Sequence, residues 1–185
     1  MKRALLNIDY TNDFVAKDGA LTCGVPAQNI ESNIIELTKA FIKEKSVVIF
    51  AIDLHNENDP YHPETDLYPP HNIDGTKGRE LYGGLKAIFE NASEEDGKYM
   101  RWIDKTRYSA FAGTDLAIYL RSRGVEEVHI CGVATDICCL HTAIDAYNLG
   151  YRIVIHSNAV ASFNPIGHEW ALQHFEKALG AKVIY

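Results

Sequence analysis

The residues of this 185-residue chain best suited to covalent chemistry lie in Gly132-Val133-Ala134-Thr135-Asp136-Ile137-Cys138-Cys139. The stretch follows the apolar run Val128 to Val133 and precedes the helix-like run Leu140 to Leu149, so a buried strand is expected to turn straight into a helix with Cys138 at its start. A helix N-terminus presents free backbone N–H groups and a partial positive charge, which favour a thiolate and could hold the oxyanion of a tetrahedral intermediate. Three further polar sites fall at corresponding places: Asp9 ending the run Ala4 to Asp9, Asp53 with His55 after Val47 to Ile52, and Asp104 with Lys105 after Tyr99 to Ile103. A carboxylate near a thiol can take its proton, and an ammonium beside both stabilises the resulting charges. Asp53 and His55, two apart in an extended segment, direct both side chains to one side and can share a metal. Taken singly, Cys138 reads more readily as a small buried hydrophobe, Asp9 as a loop residue and Lys105 as a surface charge. Their joint placement at strand ends is what points to a site.

The elements that must position them follow from periodicity. Between the first two strands lie a turn-rich loop, Tyr10 to Pro26, and an amphipathic helix, Ile30 to Lys45, with Ile30, Ile34, Leu37 and Phe41 at helical spacing. Residues 53–78 form a long irregular segment with four prolines and three histidines (His55, His62, His71), of a length that is usually functional. A helix over Arg79 to Phe89, a polar connection over Asn91 to Lys98 and the third strand come next. Thr114 is the expected N-cap of a helix over Asp115 to Arg123, which Gly124 closes. Beyond the helix ending at Gly150, Arg152 to His156 reads as the fifth strand, His168 to Leu179 as the last helix and Val183 to Tyr185 as a final strand. This alternation predicts an α/β fold: one domain over residues 1–185, with a mostly parallel sheet of about six strands and helices on both faces, a Rossmann-like three-layer sandwich. In such folds ligands bind beyond the C-terminal ends of the strands, where four strand ends here carry polar residues.

Composition narrows the classes. A net charge of -7 argues against nucleic-acid binding, and no apolar run approaches the ~20 residues that span a bilayer. Met1-Lys2-Arg3 leads into a short apolar run broken by Asn7 and Asp9, which reads as a first strand and not a signal peptide. Four cysteines (Cys23, Cys131, Cys138, Cys139) point to a reducing, cytoplasmic setting, and adjacent Cys138 and Cys139 lack the Cys-x-x-Cys spacing of redox or zinc-ribbon sites. His129, His141, His156, His168 and His174 read as structural or solvated.

The Gly-Val-Ala-Thr-Asp-x-Cys turn, with Asp9 and Lys105 after the first and third strands, resembles the isochorismatase-like superfamily of cysteine hydrolases and, within it, the nicotinamidases. The resemblance implies a triad of Asp9, Lys105 and Cys138, an oxyanion hole from the N–H groups of Ala134 and Cys138, and a cis peptide at Val133-Ala134. It also implies a metal set of Asp53, His55, Glu64 and His71, with His62 as a reserve ligand, holding Zn²⁺ first and Fe²⁺ or Mn²⁺ as alternatives. Phe14, Tyr68, Tyr108 and Ala134 match the family's substrate box; Tyr68 stands where some relatives have tryptophan. The implied activity is hydrolysis of nicotinamide to nicotinate and ammonia through a cysteine thioester, as in NAD salvage, with a small-molecule partner and room for a homo-oligomer. Rival readings are a superfamily hydrolase acting on a carbamoyl or ureido amide or an isochorismate-like ether, a metal-only hydrolase with an incidental Cys138, and a redox or metal-binding module resting on Cys138-Cys139.

Overall fold

The computed structural model describes residues 1–185. In chain order the elements are β1 (Lys2–Ile8), α1 (Asn12–Val15), α2 (Val25–Asn29), α3 (Glu31–Lys43), β2 (Val47–Asp53), α4 (Gly83–Glu90), α5 (Glu94–Gly97), β3 (Met100–Lys105), α6 (Leu116–Ser122), β4 (Val125–Val133), α7 (Leu140–Asn148), β5 (Arg152–Ala161), α8 (Pro165–Lys177) and β6 (Lys182–Ile184). All strand pairings are parallel, in the order β3-β2-β1-β4-β5-β6. The chain builds outward from β1 to β3, then returns to pair β4 with the free side of β1. The order therefore reverses between β1 and β4, which opens a crevice at their C-terminal ends.

The strand interiors are near-continuous apolar runs because both faces are covered. Ala4, Leu6 and Ile8 of β1 and Ile49 and Ala51 of β2 meet Leu116 and Leu120 of α6, Leu140, Ala143 and Ala146 of α7 and Phe175 of α8. The alternate residues Leu5, Val48, Phe50 and Ile52 face Ala27 of α2, Ile34 and Phe41 of α3 and Leu85 of α4. Ile34, Thr38 and Phe41 form the buried stripe of α3 at i, i+4 and i+7, and each large apolar side chain so buried contributes about 1.5–3 kcal/mol. Apolar matter on both faces leaves the strand ends as the place for charge.

Several local expectations differ from the structure. The loop over residues 10–26 contains α1 and the start of α2, and the polar connection contains the single turn α5, whose cap Ser93 accepts from Asp96 N–H. Asp115, not Thr114, occupies the N-cap position of α6; the Thr114 hydroxyl instead donates to Ala110 O and accepts from Leu116 N–H. β5 continues to Ala161, and α8 begins at Pro165, where Asn164 caps it by accepting from Gly167 N–H at 3.1 Å. Nor does Cys138 begin an α-helix. Residues Thr135–Cys139 form a π-helical turn, with Cys139 N–H donating to Ala134 O five residues back at 3.1 Å, and α7 follows it.

Candidate active site

The crevice between β1 and β4 exists because the two strands approach closely at their ends. Gly132 has φ +116 and lies so near β1 that a Cβ there would stand 2.0 Å from Ile8 O, which no side chain could tolerate. Asp9, the next residue on β1, adopts φ 50; its N–H donates to Ala51 O at 3.1 Å and its Oδ1 accepts from Asp53 N–H at 2.8 Å. The ends of β1 and β2 are thus tied through the Asp9 carboxyl. From the end of β3, Lys105 extends its fully buried ammonium to Asp53 Oδ1 at 2.5 Å, Asp9 Oδ2 at 2.7 Å and Cys138 Sγ at 3.6 Å, and donates to Arg107 O at 3.3 Å. The approach to Asp9 Oδ2 is close but outside hydrogen-bond angles, which leaves that oxygen without an aligned donor. Oxygens of Asp9 and Asp53 lie with Cys138 Sγ inside a 4.8 Å group. The structure therefore brings Asp9, Lys105 and Cys138 together from three separate elements.

Electrostatics follow from taking three charges out of water. Burial, then the neighbouring Asp53 charge, raises Asp9 to about 7 against the lowering effect of Lys105. Burial alone would lower Lys105, but the Asp53 and Asp9 carboxylates outweigh it and hold the ammonium charged. Burial, with Asp9 and Asp53 adding to it, also pushes the Cys138 thiol well up, against Lys105. Burial of the sulfur beside two carboxylates thus opposes the thiolate that the Lys105 ammonium favours, and places the sulfur next to a carboxyl with a free acceptor oxygen.

The turn Thr135–Cys139 is held from outside the sheet. Ser162 Oγ donates to Asp136 Oδ1 at 2.6 Å, Thr135 Oγ1 and His168 Nδ1 lie 2.8 Å apart, and Gly167 of α8 leaves room for the Asp136 carboxylate. The Val133–Ala134 peptide bond is cis.

Asp53, His55, Glu64 and His71 gather beside this triad, all buried, each offering one ligand atom within 4.8 Å of the others. Asp53 Oδ2, His55 Nε2, Glu64 Oε1 and His71 Nε2 lack hydrogen-bond partners, and that many orphaned buried polar atoms around one point call for an occupant. His55 Nε2–Glu64 Oε1 at 3.7 Å and His71 Nε2–Glu64 Oε2 at 3.5 Å are too long for good hydrogen bonds, yet close to the spacing of atoms that share a centre about 2.1 Å away. His71 Nδ1 donates to Pro69 O at 2.8 Å, which leaves Nε2 as the nitrogen facing Glu64 and free to ligate. Burial lowers His55 to about 4; burial would raise Glu64, but His71 and His55 hold it low; burial would lower His71, but Glu64, the Pro69 carbonyl and Asp53 push it up, so an ion bound here displaces a proton from His71. Two nitrogens and two carboxylates fit a divalent transition ion. The reserve candidate His62 lies outside this group, its Nδ1 accepting from Glu64 N–H at 3.2 Å.

A narrow apolar pocket opens over the sulfur, lined by Phe14, Leu21, Tyr68, Tyr108, Ala134, Ile137, Phe163, Glu64 and Cys138. The proposed box residues Phe14, Tyr68, Tyr108 and Ala134 are all there. Leu21, Ile137 and Phe163 are additions; as ordinary apolar residues of loops and a turn they carry no signature in sequence. Arg79 is another. It donates to Asp53 O at 2.7 Å, pairs with Asp104 and lies over Trp102, and so braces the backbone of Asp53; its charge within the turn closing the long loop was the only hint. A larger groove of about 680 Å³ lies at the opposite strand ends, where Arg3, Lys45 and Lys98 are already paired with Glu44 and Glu95.

Comparison with known proteins agrees with this geometry. The Isochorismatase domain model matches residues 3–184. PncA of Bacillus subtilis, described among curated proteins as an uncharacterized isochorismatase family protein, is 58% identical over 183 residues, 99% of each chain. The crystal structure titled nicotinamidase/pyrazinamidase PncA from that organism superposes with a TM-score of 0.97 over 100% of both chains. A pyrazinamidase/nicotinamidase of Streptococcus mutans is 52% identical with a TM-score of 0.95, covering 99% of this chain and 100% of that one. A Pyrococcus horikoshii pyrazinamidase in complex with zinc is 31% identical with a TM-score of 0.84, covering 100% and 99%. With its switch-point cysteine, its six parallel strands and a family match over almost its whole length, the chain belongs to the isochorismatase family.

Proposed function

We propose that this protein is an amidase that hydrolyses nicotinamide to nicotinate and ammonia, a reaction of NAD salvage, through a thioester on Cys138. The observation that carries the reading is the contact of Cys138 Sγ, Lys105 Nζ and the Asp9 carboxyl beneath an aromatic-lined pocket and beside the four-ligand cluster. The B. subtilis and S. mutans structures, titled nicotinamidase and pyrazinamidase, support the same substrate class. A flat pyridine carboxamide suits a slot walled by Phe14, Tyr68, Tyr108 and Phe163.

The chain's own residues perform the steps as follows. Asp9 takes the thiol proton as Cys138 Sγ forms a bond to the amide carbon. The N–H groups of Ala134 and Cys138 hold the developing oxyanion. Collapse breaks the C–N bond, and Asp9 returns its proton to the leaving nitrogen, which departs as ammonia. Lys105 stays charged and keeps the carboxyl and the sulfur in register. In the second half-reaction a water oxygen bonds to the acyl carbon, the C–S bond breaks, and Asp9 passes the water proton to sulfur.

Asp53, His55, Glu64 and His71 would hold a divalent ion, with Zn²⁺ favoured by the zinc complex of the P. horikoshii relative. Such an ion would supply Lewis-acid polarisation beside the pocket. The substrate is a small molecule, and no helix is long and apolar enough to cross a membrane.

Purified protein assayed for ammonia release on nicotinamide, pyrazinamide, N-carbamoyl and ureido amides tests the assignment. Nicotinamide leads the panel on this account. Failure on it with turnover of a ureido substrate overturns the substrate and retains the cysteine mechanism.

A further inference from the structure

Two of the four residues of the ligand cluster, His55 and His71, depend on a residue outside it. Asn72 follows His71 directly, is fully buried and has φ 45, a conformation that asparagine adopts more readily than most side chains. Its C=O accepts from His55 N–H at 3.1 Å, and its Oδ1 accepts from Thr11 Oγ1 at 2.9 Å. Its N–H donates to Asp13 Oδ2 at 2.8 Å. The other oxygen, Asp13 Oδ1, accepts from Ala20 N–H at 3.3 Å, and the carboxyl lies against Gly78, where a Cβ would stand 2.2 Å from Oδ2. Gly78 immediately precedes Arg79, which braces Asp53. On the pocket side, Asp13 is the neighbour of Phe14 in α1, its C=O accepts from Leu21 N–H at 3.1 Å, and the Phe14 ring meets the His71 ring edge-on at 5.2 Å. One half-buried carboxyl thus holds the backbone behind two ligands and the backbone beside two pocket walls, Phe14 and Leu21.

We propose that Asp13 is a positioning residue that couples the ligand cluster to the substrate slot. Its carboxyl accepts at once from the loop that carries His71 and from the loop that carries Leu21, so the two loops hold one arrangement together or lose it together. Fixing His55 and His71 on a divalent ion fixes Asn72 N–H and, through Asp13, the Ala20–Leu21 backbone; by reciprocity, an ordered slot favours the ion. Asp13 offers no atom to the cluster and does not line the pocket, so it acts only through the residues it holds. That the slot takes nicotinamide rests on the amidase reading above, whereas the coupling itself does not.

Asp13→Ala and Asp13→Asn test this, with zinc alone as the probe ion. Chelator competition should give Asp13→Ala a zinc affinity about tenfold weaker than native, the lower end of what losing a group behind a metal ligand costs. Amide hydrogen exchange over residues 14–23, a segment without a cluster residue, should slow by about fivefold or more when zinc is added to the native protein, and should not respond to zinc in Asp13→Ala. Asparagine keeps one acceptor oxygen, which the shorter bond to Asn72 N–H claims. Asp13→Asn should therefore recover zinc affinity to within about threefold of native, while the exchange response stays lost because Ala20 N–H then faces an amide NH2. In zinc-saturated Asp13→Ala, KM for nicotinamide should rise about tenfold with kcat within about twofold of native, since Asp9, Lys105 and Cys138 keep their places. A merely structural tie would lower the melting temperature of Asp13→Ala and leave zinc affinity and the exchange response native, and that result overturns the proposal. A native exchange response in Asp13→Asn overturns it too, and this variant decides the matter if Asp13→Ala does not fold. A native protein that releases no ammonia from nicotinamide overturns the amidase reading instead, and zinc affinity and exchange still decide the coupling.

Discussion

Replacing Lys105 by Met tests whether the site is held together by its buried cation. The ammonium is fully buried between Asp53 at 2.5 Å and Asp9 at 2.7 Å. Two buried carboxylates are then left without their shared cation. Removing one partner of a buried ion pair costs about 3–5 kcal/mol, because the remaining charge stays desolvated. For a domain of this size each kcal/mol moves Tm by about 2–4 °C, so Lys105→Met should melt roughly 6–20 °C below the native protein near pH 8. Asp9→Asn added to Lys105→Met removes one of the two stranded charges and should recover part of that loss, a non-additivity that unrelated sites do not show. Differential scanning calorimetry of the single and double variants gives the numbers. A Lys105→Met loss below about 1 kcal/mol, or strictly additive effects with Asp9→Asn, would refute the claim that this ammonium balances both carboxylates.

Three further outcomes are expected. Iodoacetamide should inactivate through Cys138, and Cys139→Ala should keep most turnover while Cys138→Ala loses it, since only Cys138 contacts Lys105 and the pocket; peptide mapping of the labelled cysteine decides. Gly132→Ala should give little or no soluble folded protein, read by circular dichroism and yield, because its Cβ would meet Ile8 backbone at 2.0 Å where φ is +116. Burial, then His129 and Arg3, lowers His156 to about 4; unfolding therefore takes up a proton between about pH 6.5 and 4, and stability falls as pH drops through that window. His129 Nδ1 bonds His156 Nε2 at 2.9 Å, and Glu127 faces the other His129 nitrogen, so His156→Gln should flatten the fall; urea titrations across pH that show equal slopes would contradict it.

The parts of the molecule that were readable in advance are those with a compositional cause. Buried parallel strands must be apolar along their length, so Val47 to Ile52 and Val128 to Val133 declare themselves, and a charged residue directly after such a run, as with Asp9 and Lys105, belongs at the strand's end. Asp53 and His55 were legible from spacing, whereas Glu64 and His71 were drawn from the loop only by family resemblance. Other features depend on tertiary context. The π turn at Thr135–Cys139 is a bonding pattern that the same residues would not reveal as an α-helix or a loop. The upward push on the Cys138 thiol follows from burial beside two carboxylates that arrive from the ends of β1 and β2, which position in the chain alone cannot express. Leu21, Ile137 and Phe163 line the pocket only because loops and a turn distant in sequence close over one another. Arg79 likewise gains its role from the Asp53 carbonyl it meets.

The central claim is that the sulfur of Cys138, and not a metal centre acting alone, attacks the amide. Cys138→Ala leaves Asp53, His55, Glu64 and His71 in place, so this variant should bind its divalent ion at native stoichiometry. The decisive measurement is nicotinate formed from nicotinamide by that metal-loaded variant, quantified beside its metal content. The account predicts full metal and no nicotinate above the uncatalysed rate. Substantial turnover with full metal and no thiol would mean that the metal site performs the attack, and the cysteine mechanism would have to be abandoned.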